Sequence, residues 1–188
     1  MPPLFAWWLL IEVLMKLSDL GHRICILGPS NSGKSTLADA IGKKLDLKIV
    51  HLDRLYHLPN THWQPRPTEE FVALHDEEIL GERWVIDGNY SKLQPQRLAR
   101  ATGIIVLDVS TALSVVRYLN RTLFEKHRYG ALEGGKDSLN WDMFHHIIFV
   151  TPKSRKRNTK QFAQWTLPKI RLASAKEIKK QMREWELV

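Results

Sequence analysis

Gly28-Pro29-Ser30-Asn31-Ser32-Gly33-Lys34-Ser35 spells G-x-x-x-x-G-K-S, and its flanks decide how the rest of the chain is read. The apolar run Ile24-Cys25-Ile26-Leu27 leads in, and Thr36-Leu37-Ala38-Asp39-Ala40-Ile41 leads out with helix-forming residues. Strand, glycine-bearing loop and helix in that order make a phosphate-binding loop. Glycines let the backbone curl until successive N–H groups point inward at phosphate oxygens, and the helix N-terminus adds partial positive charge. On this reading Gly28, Pro29, Ser30, Asn31, Ser32, Gly33, Lys34, Ser35 and Thr36 cradle a nucleotide. Lys34 reaches the β- and γ-phosphates as a catalytic cation, and the Ser35 hydroxyl ligates Mg²⁺. The plain alternative is a glycine-rich turn with an incidental lysine.

Hydrophobic periodicity extends the pattern in both directions. Ser35 to Leu45 reads as a helix with Leu37, Ile41 and Leu45 inward, and Leu47 to Leu52 as a short strand ending at Asp53. Pro59, Trp63, Pro65 and Pro67 break Tyr56 to Pro67 into a loop. Thr68 then caps a helix whose first turn carries Glu69 and Glu70. Trp84-Val85-Ile86 is a third strand ending at Asp87-Gly88, and Ile104 to Leu107 a fourth ending at Asp108. A helix is expected over Ala112 to Glu125, a mobile segment with Gly130, Gly134 and Gly135 over Lys126 to Asn140, and a helix over Trp141 to Val150. The basic stretch Lys153 to Trp165 continues as helix, Ile170-Arg171-Leu172 is a last strand, and Ser174 with Glu177 forms an S-x-x-E capping box. Strands alternating with helices predict an α/β fold, a parallel sheet covered on both faces.

A chain of 188 residues is most economically one domain with a full core. Its single cysteine, Cys25, falls in the first expected strand, so no intramolecular disulfide can form and a reducing, cytoplasmic setting is expected. Between Thr151 and Lys180 ten lysines and arginines face one acid, Glu177, in a chain of net charge +8. Such a block either attracts polyanions, nucleic acid among them, or is a solvated helix face. Leu4, Trp7, Trp8, Ile11, Leu14 and Met15 recur at helical spacing, so residues 1–16 read as an apolar helical extension before a main domain over 17–188. The apolar run Leu4 to Leu17 is interrupted by Glu12 and Lys16 and is too short to span a bilayer, which takes about 20 residues. It lacks the basic start and small-residue cleavage site of a secretory signal. Met15 is a candidate natural start, which would leave residues 1–14 without a catalytic role.

In open α/β sheets ligands gather beyond the carboxyl ends of the strands. The glycine loop, Asp53, Asp87 and Asp108 all fall there. Asp87 has the form of a Walker B acid holding Mg²⁺, or else is a turn residue before glycine. Asp53 orients or deprotonates an acceptor hydroxyl, or else has an N-cap or turn role. For Asp108 the structural role comes first. Phosphoryl transfer also needs cations around the migrating group. Arg117 and Arg121 lie one helical turn apart, Arg128 sits in the glycine-bearing segment, and Arg155 and Arg157 follow it. Arg121 and Arg128 are assigned to catalysis, and Arg117 and Arg155 to the nucleotide; each alone also reads as a surface charge. A lid and basic region over 126–160 would exclude water from the reaction. Eight histidines show no zinc-ligand spacing. Tyr56, Trp63 and Trp84 offer either a stacking surface or core packing.

Three stretches carry a family resemblance: Ile26 to Leu37, His51-Leu52-Asp53-Arg54-Leu55-Tyr56, and Trp84-Val85-Ile86-Asp87-Gly88-Asn89-Tyr90-Ser91. With them the chain resembles P-loop kinases related to adenylate kinase, closest to the bacterial topology-modulation (FlaR-like) proteins, from about Leu17 to Ala163. The resemblance implies a three-layer P-loop NTPase fold, adenylate-kinase-like, with a five-stranded parallel sheet, a mobile lid and a separate acceptor region. It implies ATP and Mg²⁺ as cofactors, with Gly28 to Thr36 as the nucleotide loop and Asp87 at the metal. Adenylate kinases follow their Asp-Gly with Phe-Pro-Arg, whose arginine grips the acceptor's phosphate. Asn89-Tyr90-Ser91 departs from that and argues against AMP as acceptor, with Arg97 and Arg100 as candidate substitutes.

The leading expectation is therefore a kinase that transfers the γ-phosphoryl group of Mg-ATP to a nucleotide, nucleoside or other small hydroxylated acceptor. A nucleic-acid-binding ATPase acting through the basic C-terminal region is the alternative. A GTPase switch lacks its Asn-Lys-x-Asp guanine reader, which Asn120-Arg121-Thr122-Leu123 does not supply.

Overall fold

The computed structural model describes residues 15–61, 63–124 and 151–188 and, at 121–124, 151, 153 and 154, the backbone alone. The expected helix before Met15, the glycine-bearing stretch Lys126 to Asn140 and the helix Trp141 to Val150 lie outside the described residues. Five strands form one parallel sheet: β1 (Arg23–Leu27), β2 (Lys48–His51), β3 (Trp84–Asp87), β4 (Gly103–Leu107) and β5 (Lys169–Leu172), in the order β2-β3-β1-β4-β5. β1 from Ile24 onward and β4 throughout are apolar and buried because both faces are covered, as parallel sheets require.

Side chains alternate between two cores. Ile24, Ile26, Val85, Ile105 and Leu107 face one side, under α1 (Lys34–Leu45), which contributes Leu37, Ala38 and Ile41. On the opposite face Cys25, Trp84 and Ile86 pack with Ile79 of α3 (Thr68–Leu80) and Leu98 of α4 (Gln94–Arg100). Ile104, Val106 and Leu27 continue that face against Phe162 of α6 (Thr151–Phe162). Between β4 and α6 runs α5 (Thr111–Phe124), where Ser110 Oγ accepts from Leu113 N at 3.3 Å. The last helix, α7 (Ala175–Glu184), returns to the α1 side with Ile178, followed by Trp185.

Three local expectations are corrected. β2 stops at His51, its last register partner being Asp87, because β3 turns away at Gly88 and offers no further ladder. The chain then winds into α2 (Leu52–Tyr56), so Asp53 sits in a helical turn and not at a strand end. Thr68 is the first helical residue and not the cap; Pro67 takes that position, its carbonyl accepting from Phe71 N at 3.1 Å. Helix α4 was not expected at all. Its buried inward positions include Gln94 and Arg97, so it carries no apolar stripe to read.

Candidate functional site

The parallel sheet brings the ends of β1, β2, β3 and β4 to one edge. There β1 runs into the glycine loop. Gly28 adopts φ +151°, and a Cβ on it would stand 2.5 Å from the Leu107 carbonyl oxygen, so no side chain fits where the loop brushes the end of β4. Gly33 enters α1 at φ +98°, and no side chain caps that helix. A helix start without a side-chain cap from its own N-cap residue suits an anion.

Asp87 closes β3 at 4% exposure. Its Oδ2 accepts from Ser35 Oγ at 2.6 Å, and its Oδ1 lies 2.9 Å from His51 Nδ1. A serine of the glycine loop and a buried carboxylate thus meet directly, as an oxygen-seeking Mg²⁺ site needs. The Lys34 ammonium donates to Pro29 O at 2.7 Å across the loop. Burial pushes its pKa down, and the Asp87 and Asp53 carboxylates oppose that. Arg117 reaches over from α5, donating Nη1 to Ser32 O at 2.7 Å. The Ser32 hydroxyl is buried and, among the described residues, has no hydrogen-bond partner. Backbone curl, uncapped helix, flanking cations and the Ser35–Asp87 pair fit a Mg-nucleotide.

Opposite the loop, the exposed Asp53 accepts a 2.7 Å bond from Tyr90 Oη. Burial, then the Asp53 charge, drives the Tyr90 pKa well above the ordinary phenol range, so the hydroxyl stays a donor. Tyr90 holds φ +33°, a strained backbone for a side chain of its size, and packs its ring against Tyr56 and Phe71 at 5.2 and 5.0 Å. The helix-cap reading of Asp53 fails, since His51 holds that position and the Asp53 carboxylate turns to Tyr90. A cavity of about 300 Å³ against β2 and α2 is walled by Ile49, His51, Arg54, Leu55, Arg66 and Glu78, among others, and neither Asp53 nor Tyr90 lines it.

Asp108, also 4% exposed, binds Arg155 Nε, and its second oxygen lies 3.3 Å from Arg171 Nε. It thereby ties β4 to α6 and β5. Arg155 stands at the same edge as the loop but is engaged there, and the backbone of Arg121 lies in the last turn of α5. The Arg121 side chain, and Arg128 entirely, lie outside the described residues. Neither candidate substitute for the adenylate kinase arginine is placed to take its role. Arg97, 1% exposed, donates Nη2 to the carbonyls of Gly88 and Asn89 at 3.2 and 2.6 Å. Arg100 binds Glu82 at 3.1 Å beside Arg23, at the opposite edge of the sheet. Trp84 is fully buried and offers no stacking face; Tyr56 joins the Tyr90 cluster, and Trp63 lies edge-on to His57.

Sequence reasoning missed two residues. His51 was quoted but given no role, because only the strand register sets it beside Asp87. Asn89 was read as a departure from a pattern, whereas its carboxamide bonds Gly28 on both backbone atoms.

No protein-family model and no curated protein sequence matches the chain. Among solved structures it is similar to a gluconokinase from Sinorhizobium meliloti 1021, with a TM-score of 0.55 and 14% identity over 89% of this chain and 90% of that one. A shikimate kinase from Aquifex aeolicus vf5 gives a TM-score of 0.49 at 14% identity over 87% of this chain and 96% of that one. Another, from Bacteroides thetaiotaomicron, gives 0.49 at 14% over 88% and 96%. The likeness to the gluconokinase is one of fold. With the strand order and the glycine loop it establishes the three-layer P-loop NTPase architecture.

Proposed function

We propose that this protein is a Mg-ATP-dependent kinase of a small hydroxylated acceptor. The observation that carries the reading is the 2.6 Å bond between Ser35 and the buried Asp87, set beside Lys34 in a glycine loop. Ser35 and Asp87 would hold Mg²⁺, which neutralises phosphate charge when bound. The loop from Gly28 to Thr36 wraps the phosphates, main-chain amides after Pro29 facing them, and Lys34 and Arg117 add the cations that a transferring phosphoryl group needs. Asp53 would orient the acceptor hydroxyl and take its proton as the acceptor O–P bond forms and the bond from the γ-phosphorus to the β,γ-bridging oxygen breaks, releasing ADP, with Tyr90 holding one carboxylate oxygen so that the other meets the acceptor.

The name of the structural neighbour, a gluconokinase, supports a sugar acid as one acceptor class, and a nucleotide or nucleoside remains a candidate. The finer placement, in the adenylate-kinase-like branch beside the topology-modulation proteins, rests on the three motif stretches quoted from the sequence. Arg155, Arg121 and Arg128 belong to the same reading as cations near the nucleotide, in a cytoplasmic setting. Purified protein, labelled ATP and Mg²⁺ incubated with a panel of nucleosides, nucleotides and sugar acids, resolved by mass spectrometry, tests it. Transfer to at least one acceptor is expected, with Lys34→Ala folded but inactive. No transfer to any member of the panel would overturn the reading.

A further inference from the structure

We infer that Asn89 is a positioning residue that holds the nucleotide loop in its binding shape, an inference that rests on the proposed use of ATP. Gly28 N donates to Asn89 Oδ1 at 3.0 Å, while Asn89 Nδ2 donates to Gly28 O at 2.8 Å. This reciprocal pair needs one donor and one acceptor on the same planar group, which among side chains of this length only asparagine supplies. It also sets the amide's orientation, since a flipped carboxamide would oppose both Gly28 groups.

The bridge is held from behind. Arg97, which is buried, fixes the backbone carbonyls of Gly88 and Asn89. Asn158 of α6 donates Nδ2 to the same Asn89 Oδ1 at 3.3 Å and is itself 2% exposed. On its other side Gly28 lies against the Leu107 carbonyl, too close for a Cβ. The first residue of the loop is therefore clamped between the end of β4 and the turn after β3. The place after Asp87-Gly88 thus serves the nucleotide loop and turns no side chain toward an acceptor.

Calorimetric titration of Mg-ATP into the wild type, Asn89→Ala and Asn89→Asp tests this, with thermal unfolding of each protein alongside. Loss of two hydrogen bonds should weaken Mg-ATP binding of Asn89→Ala by about tenfold. Asn89→Asp keeps the shape and the acceptor but loses the donor and adds negative charge by the loop, so it should bind more weakly than the alanine variant. The acceptor KM should stay within about twofold in both, which a general loosening of the fold would not allow. Wild-type binding with either variant equally tight would overturn the role of Asn89 alone. No binding by the wild type would overturn this role together with the kinase reading. Should Asn89→Ala fail to fold, the isosteric Asn89→Asp decides: weaker Mg-ATP binding supports the clamp, unchanged binding refutes it.

Discussion

Asp53 presents an exposed carboxylate with one oxygen already engaged by a phenol that burial keeps protonated. That arrangement suits a group that must point in one direction and accept a proton from an acceptor hydroxyl. Asp53→Asn should lower kcat by about a hundredfold or more while changing Mg-ATP affinity by less than about threefold. Equal losses in kcat and in ATP binding, measured by steady-state kinetics and calorimetry, would assign Asp53 to the nucleotide side. At this scale the glycine loop and the carboxylates Asp53 and Asp87 were legible, because each belongs to a short run with fixed spacing. His51 and Asn89 were not. Their partners lie 36 and 61 residues away, and only strand register and the turn after β3 bring them together.

At the scale of elements, apolar periodicity was the legible signal and its absence the reason for error. All five strands were expected, β2 with bounds one residue too wide at each end, and the helices packed by an apolar stripe were expected close to where they lie. Helix α4 escaped because it turns Gln94 and Arg97 inward, and Arg97 secures the turn that follows Asp87. The short α2 escaped because Leu52 is apolar in either conformation, and only the end of the β3 ladder decides between strand and helix. Capping was readable at α7, where Ser174 Oγ accepts from Glu177 N at 3.2 Å and Glu177 Oε2 accepts from Ala173 N at 2.8 Å. Ser174→Ala should cost about 1 kcal/mol, read from urea unfolding. A loss below about 0.2 kcal/mol would mean that α7 is held by Ile178 and Trp185 packing alone.

Across the whole molecule, the basic stretch from Thr151 to Lys180 is continuous in sequence and divided in space. Phe162 docks α6 on one face of the sheet, while Ile178 docks α7 on the other. The charges of the two helices therefore do not form one stripe, and the sheet separates them. What the fold does concentrate, at one edge, is a glycine loop, a buried acid on its serine, a lysine and an exposed carboxylate. Among the described residues no helix is long and apolar enough to cross a membrane. The claim on which the rest depends is that residues 28 to 36 and Asp87 hold a magnesium-bound nucleoside triphosphate. Calorimetry with ATP, with and without Mg²⁺, on the wild type and Asp87→Asn tests it most directly. The account predicts saturable binding that Mg²⁺ tightens by at least about tenfold in the wild type and scarcely at all in Asp87→Asn. Absence of binding by folded wild-type protein, or an undiminished Mg²⁺ effect in the variant, would contradict it.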